Sequence, residues 1–287
     1  MTVNPRERLL AVHDLHIVYP GRRRLLRKAP DNHAVAGVTF SVAEGETFGL
    51  VGESGSGKST IGRAILGLTS VAAGSITFRG RPLPRDRHGL QGYRRSVQAV
   101  FQDPLSSLNP SMPVGGAIAE PLRRLRELSD RREIEREICA LLEAVGLPAE
   151  TRHRYPSQLS GGQRQRVAIA RALAPRPELI VCDEAVSALD VSTQAQIVNL
   201  FADLQAELGV AYLFIAHDLG VVRHLSHRTG VLSRGEMVEQ GKAREVHDQP
   251  QHPYTQQLLA AVPIPDPVRQ AERRIARRAA NAAPVSG

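Results

Sequence analysis

Thr47-Phe48-Gly49-Leu50-Val51-Gly52-Glu53-Ser54-Gly55-Ser56-Gly57-Lys58-Ser59-Thr60 decides the fold of this chain. The apolar run Thr47–Val51 leads into a loop with glycine at 52, 55 and 57, and residues 60–68 then read as a helix. Strand, glycine-rich loop and helix in that order make one βα unit of a parallel sheet. Gly, four residues, then Gly-Lys-Ser is the pattern of a loop that wraps phosphate. Glycines let the backbone approach closely and turn its N–H groups inward, and the helix N-terminus behind adds a partial positive charge. In a loop made of Gly52, Glu53, Ser54, Gly55, Ser56, Gly57, Lys58, Ser59 and Thr60, Lys58 reaches the β- and γ-phosphates and Ser59 holds Mg2+.

Downstream, Leu179-Ile180-Val181-Cys182 is a short apolar run that ends in Asp183-Glu184, and the run 212–216 ends in His217. Both read as buried parallel strands whose polar residues fall at the carboxyl ends, where open α/β sheets place ligands. Asp183 is placed to hold Mg2+, and Glu184 beside it to orient and polarise an attacking water. Residues 8–20 and 34–51 read as strands, with a Pro-, Gly- and Arg-rich exposed insertion at 20–33. Residues 105–157 lack buried strands. From Asp130 a helical pattern puts Ile134, Ile138, Leu141, Leu142 and Val145 on one face, and Gly146 ends it. A helical subdomain of about residues 105–174 inserted into an α/β core is expected, followed by a hairpin around Ser233-Arg234-Gly235.

Leu159-Ser160-Gly161-Gly162-Gln163 opens a helix to about Ala174, with Ser160 suited to cap it. Two glycines leave that helix N-terminus bare, a second anion-binding end with no evident use inside one chain.

Composition bounds the rest. The chain has 287 residues, 42% of them hydrophobic, enough to bury a core without disulfides or metal. Cys139 and Cys182 lie in apolar segments without ligand spacing and read as reduced core thiols. Residues 1–15 lack a basic-then-apolar leader pattern, and no apolar run reaches the ~20 residues of a membrane span. A soluble chain, or one attached to a membrane only through partners, is expected. The net charge of +8 is local: Arg22, Arg23, Arg24, Arg27 and Lys28 supply +5, the tail 268–287 with five arginines and Glu272 supplies +4, and the rest of the chain is left at about −1. That tail reads as disordered.

Leu-Ser-Gly-Gly-Gln, the phosphate loop and Leu-Ile-Val-Cys-Asp-Glu together resemble the nucleotide-binding domain of ABC transporters, over about residues 9–267. The resemblance implies a phosphate-loop NTPase core of mostly parallel sheet, an N-terminal antiparallel β subdomain and an inserted helical subdomain. It implies that Gln102 senses Mg2+ and the γ-phosphate and couples the core to the helices. Glu184 would be the catalytic base and His217 the switch histidine near the γ-phosphate. Tyr19 would stack on adenine, and Asp190, in Ser187-Ala188-Leu189-Asp190, would lie at a dimer interface. The metal set is then Ser59, Gln102 and Asp183. Two such domains sandwich two ATP molecules head to tail, so that Ser160, Gly161, Gly162 and Gln163 hold the partner's nucleotide.

Phe101-Gln102-Asp103-Pro104, Ser107-Leu108-Asn109-Pro110, residues 183–192, His252-Pro253-Tyr254-Thr255 and Val262-Pro263 resemble the dipeptide/oligopeptide importer ATPases in particular. That likeness implies ATP hydrolysis powering import of di- or oligopeptides, with a C-terminal segment of that type at about 240–267. It implies peripheral attachment to the cytoplasmic face of the inner membrane. The partners implied are a paralogous ATPase forming a heterodimer, two transmembrane permeases and an extracytoplasmic solute-binding protein, with no nucleic acid. Nickel or glutathione-like solutes remain open as cargo, and a soluble ABC ATPase acting on ribosomes or nucleic acid is a more distant reading. Many such ATPases end in a cysteine cluster. This chain has no cysteine after Cys182, so ATP and Mg2+ are expected and an iron–sulfur cluster is not.

Overall fold

The computed structural model describes residues 8–21, 23–24, 27–28, 30–84, 86–103 and 107–261, with backbone alone for Arg23, Arg24, Arg27, Lys28 and Arg87. Pro104, Val262-Pro263, the start of the expected helical subdomain and the tail 268–287 lie outside the described residues.

Two sheets share one core. The first is antiparallel: β1 (Arg8–Tyr19), β4 (Asn32–Ala43), β6 (Ala73–Phe78) and β7 (Arg81–Pro82), in the order β4-β1-β6-β7. The second is mixed, in the order β12-β11-β5-β10-β9-β8. Its strands are β5 (Thr47–Val51), β8 (Val97–Phe101), β9 (Leu179–Asp183), β10 (Ala211–Ala216), β11 (Arg228–Ser233) and β12 (Glu236–Lys242). All its pairs are parallel except the β11–β12 hairpin. β5 and β10 are buried at every residue because both faces of this sheet are covered. The period of two divides their side chains. Leu179, Val181, Leu213 and Ile215 join the core shared with the antiparallel sheet. Ile180, Cys182, Tyr212 and Phe214 join the core shared with the helices. Phe40 stacks on Phe48 at 4.8 Å between ring centroids, pinning one sheet to the other.

The helices are α1 (Lys58–Ile65), α2 (Arg87–Ser96), α3 (Val114–Leu125), α4 (Arg131–Ala144), α5 (Gly161–Leu173), α6 (Val191–Leu208), α7 (Leu219–Leu225), α8 (Ala243–Asp248) and α9 (Pro253–Ala261). α1 begins two residues before the expected helix because Lys58 and Ser59, at the end of the loop, already carry helical geometry. Asp130 caps α4 by accepting from the Arg132 N–H, and Ile134, Ile138 and Leu142 bury its apolar face. Between α4 and α5 the chain makes 3₁₀ turns at Ala149–His153 and Pro156–Gln158. Arg126 clamps Glu137 through two N–H groups, at 2.7 and 3.2 Å, fastening α3's end to α4.

Three features depart from the sequence reading or extend it. β8 forms the sheet edge beyond β9, although its segment shows only five residues of mixed polarity. Cys182 is buried as expected, but Cys139 is only half-buried, where Arg152 reaches its sulfur. The reason is its place on α4, off the face that carries Ile134 and Ile138. The insertion after Tyr19 contains the two-residue strands β2 (Arg23–Arg24) and β3 (Arg27–Lys28), paired antiparallel. Among the described residues no helix is long and apolar enough to cross a membrane.

Candidate nucleotide site

The site lies where the parallel strands end. In the strand order β11-β5-β10-β9-β8, the residues just past the last four strands are Gly52, His217, Glu184 and Gln102. Register fixes that row: Val51 pairs with Ala216, Ile215 with Asp183 and Asp183 with Phe101.

The loop from Gly52 to α1 obeys two steric demands. Gly52 has φ 152°, and a Cβ there would lie 2.1 Å from the Leu232 carbonyl oxygen. Gly57 has φ 106°, and a Cβ would lie 2.4 Å from the Ala34 carbonyl oxygen. Gly57 also caps α1 with no side chain, so the first N–H groups of the helix are free to meet an anion. Lys58 is 4% exposed and donates to the carbonyls of Gly52 and Glu53, each at 2.7 Å. Burial lowers the Lys58 pKa, while the carboxylates of Glu184, Asp183 and Glu53 act against that shift.

Ser59 Oγ donates to Asp183 Oδ1 at 2.7 Å. Burial raises the Asp183 pKa; the Ser59 bond opposes it, Glu184 adds to it, and Arg63 and Lys58 also oppose it. One hydroxyl and one half-buried carboxylate suit Mg2+, a hard cation that takes few protein oxygens and completes its shell with phosphate and water. Among the described residues no group of three or more His, Cys, Asp or Glu side chains is placed to hold a metal ion.

Lys58, Ser59 and Thr60 line a cavity of about 510 Å³ together with Ser54, Gly55, Gly57, Tyr19 and Glu184. Tyr19 reaches it despite the insertion, because Tyr19 and Asn32 face each other across the β1–β4 ladder. Residues 20–31 therefore leave and return at one point. Glu184 has φ 52°, in the left-handed region that non-glycine residues adopt at a cost. Its amide donates to the Ile215 carbonyl at 2.9 Å and its carbonyl accepts from Ser187. Those bonds hold the strained turn and present its carboxylate to the cavity.

The remaining expected residues stand apart. His217 is exposed at the end of β10, and Gln102 is exposed one residue beyond β8; neither lines the cavity. Nor do Ser160, Gly161, Gly162 and Gln163. Ser160 caps α5 in a reciprocal box with Gln163: the Gln163 N–H donates to Ser160 Oγ at 3.3 Å, and the Ser160 N–H to Gln163 Oε1 at 3.0 Å. A Cβ on Gly162 would meet Thr193 at 2.5 Å, so the start of α5 packs on the start of α6. Asp190 caps α6, accepting from the N–H and hydroxyl of Thr193 at 3.0 and 2.7 Å.

Sequence reasoning missed Asn32, His33, Ala34, Arg234 and Gly235, which also line the cavity. Arg234 and Gly235 have φ of 48° and 87°, the double left-handed turn of a two-residue hairpin. The Gly235 N–H donates to the Ser56 carbonyl, and its own carbonyl accepts from Ala36, each at 2.9 Å. The hairpin was legible, but not that its tip is stitched to the phosphate loop.

A glycine loop between a buried strand and an uncapped helix, with a lysine, a hydroxyl and Glu184 around one cavity and Asp183 bonded to that hydroxyl, defines a phosphate-loop nucleotide-binding protein. The family model described as "ABC transporter" matches residues 35–187, and that described as "Oligopeptide/dipeptide transporter, C-terminal region" matches residues 238–286. The chain is 47% identical over 268 residues to the oligopeptide transport ATP-binding protein OppF of Lactococcus lactis subsp. lactis, covering 93% of this chain and 84% of that protein. It is 49% identical over 276 residues to the glutathione import ATP-binding protein GsiA of Escherichia coli K12, covering 96% of this chain. It spans 44% of that relative's length. Among solved structures, the dimeric post-hydrolysis state of the ATP-binding cassette MJ0796 bound to ADP and Pi superposes with a TM-score of 0.71 at 29% identity, over 82% of this chain and 99% of that one. CbiO1 of Clostridium perfringens shares the fold, with a TM-score of 0.74 over 96% of this chain and 97% of that one, at 24% identity. The chain belongs to the ABC transporter ATP-binding family, in its oligopeptide/dipeptide branch.

Proposed function

We propose that this chain binds and hydrolyses MgATP to power import of peptide-like solutes through a partner permease. The observation that carries the reading is a division: Lys58, Ser59 and Glu184 share one cavity, while the Ser160-Gly161-Gly162-Gln163 helix start lies outside it. An anion-binding helix end that serves no site in its own chain fits a head-to-tail pair, in which it meets the γ-phosphate held by a partner ATPase. That partner is a paralogue in this reading, and Asp190, packed beside Gly162 through Thr193, is the interface residue. The dimeric cassette relative is consistent with such an assembly.

In this mechanism the loop amides and Lys58 bind the β- and γ-phosphates, and Tyr19 lies against adenine. Ser59, Asp183 and Gln102 would hold Mg2+, which would supply positive charge against the phosphate oxygens. Glu184 orients the attacking water and takes its proton, and His217, at the adjoining strand end, meets the γ-phosphate. Closure excludes water and completes the site. The two kinds of relative, for oligopeptides and for glutathione, both favour a peptide-like cargo, delivered by an extracytoplasmic binding protein. The chain then sits at the cytoplasmic face of the inner membrane.

Tagged purification from mildly solubilised membranes, with mass spectrometry, tests the reading. Two multi-span permeases and a related ATPase are the expected companions. Ribosomal proteins or nucleic acid in their place would remove the transport function and leave only the ATPase chemistry.

A further inference from the structure

We propose that the C-terminal segment is part of the nucleotide site, with Tyr254 as a positioning residue that fixes the first shoulder of the phosphate loop. The inference rests on the MgATP reading above. The Tyr254 hydroxyl accepts a hydrogen bond from the Glu53 N–H at 3.1 Å, across 201 residues of sequence. The carbonyl of the same Glu53 accepts from Lys58 Nζ at 2.7 Å and from the Ser56 N–H at 3.2 Å. A shift of Glu53 therefore moves both the lysine that meets phosphate and the turn that presents the amides.

The phenol is itself held by the sheet. Glu239, on β12, accepts from the N–H groups of Gln251 and His252 at 2.9 and 3.0 Å. Burial pushes the Glu239 carboxyl up, but the Gln251 amide, the Thr255 hydroxyl and the His252 amide outweigh it and keep the group below its usual range. His252 Nδ1 accepts from the Tyr254 N–H at 3.2 Å. Pro253 opens α9 where a missing N–H costs nothing, and Tyr254, Leu258 and Leu259 pack on the main core. His-Pro-Tyr-Thr is thus a short structural sentence: an anchored turn, a helix start, and a hydroxyl aimed at the loop. A loop held in place before nucleotide arrives loses less freedom on binding.

Tyr254→Phe keeps the ring and removes the acceptor. Calorimetric binding of MgATP to the full chain is expected to weaken about three- to tenfold. The melting temperature should move by less than about 2 °C. KM for ATP should rise in step while kcat stays within about twofold, because the contact acts alike on bound substrate and transition state. Glu239→Gln, which loosens the His252 turn without touching the loop, should weaken binding in the same direction and add less than its full effect to the first change. Wild-type affinity in both variants overturns the assignment. So does a loss of affinity that merely tracks a fall in melting temperature, which reduces Tyr254 to packing. Failure of the unaltered chain to bind MgATP is a different result and sinks the nucleotide reading instead.

Discussion

Two helices in this chain start beside glycine, α1 just after Gly57 and α5 at Gly161, and they begin differently. α1 starts behind Gly57 with no side-chain cap, and its first turn faces a cavity that also holds Tyr19 and Glu184. α5 starts at Gly161 with its end closed by the Ser160–Gln163 box, and packs on Thr193 outside that cavity. Both ends carry the same partial positive charge. Only the first is surrounded, within one chain, by a lysine, a hydroxyl and two acids. The difference teaches that helix dipole and bare glycine are not enough to make a site; the surrounding side chains set the two ends apart.

The comparison can be broken most forcefully at Glu184. Glu184→Gln should lower ATP turnover about 10²–10⁴-fold, the usual worth of a general base, while MgATP binding persists and the closed pair accumulates by light scattering. Near-normal hydrolysis in that variant removes Glu184 from its role. Lys58→Ala takes the buried cation from the α1 end and should weaken MgATP binding about 100-fold in a fluorescence titration. Ser160→Ala probes the other helix. It should cost about 1 kcal/mol of stability through the lost cap and leave MgATP affinity of a single chain unchanged. If α5 serves a partner, turnover should fall about tenfold. An altered affinity in the isolated chain would erase the division between the two ends.

The smallest effect sharpens how the helical part is held. Arg126 lowers the Glu137 pKa, against burial and with help from Arg176. A carboxyl whose folded pKa lies below its unfolded value of about 4.5 stabilises the fold above that pH and ceases to as pH falls through the folded value. Glu137→Gln should therefore cost about 1–2 kcal/mol at pH 7. The gap from wild type in urea melts should close as pH falls below about 4.5 and through the folded value. A gap independent of pH would mean the pair contributes only packing.

What could be read from sequence was whatever one continuous segment encodes. The phosphate loop, the Leu179–Glu184 strand end and the Ser160 cap each carry their geometry in about ten residues, so spacing alone exposes them. β8 was not legible, because Val97–Phe101 becomes a strand only by pairing with Leu179–Asp183. Arg234-Gly235 reads as a turn, yet its bonds to Ser56 and Ala36 depend on how β11 registers beside β5. Tyr254 sits in a motif that named the branch of the family without disclosing what the tyrosine touches. His217 and Gln102 were placed by resemblance; in this structure they stand in the row of strand ends but not in the cavity wall.

The Tyr19–Asn32 pairing has a practical consequence. Because the ladder closes at those two residues, the segment 20–31 hangs from a fixed pair of points, and the free energy of closing such an excursion grows only logarithmically with its length. The arginine-rich excursion is thus a natural splice point. A dye or a small domain grafted there would sit at the mouth of the cavity and report its occupancy, while the wall behind it kept its shape.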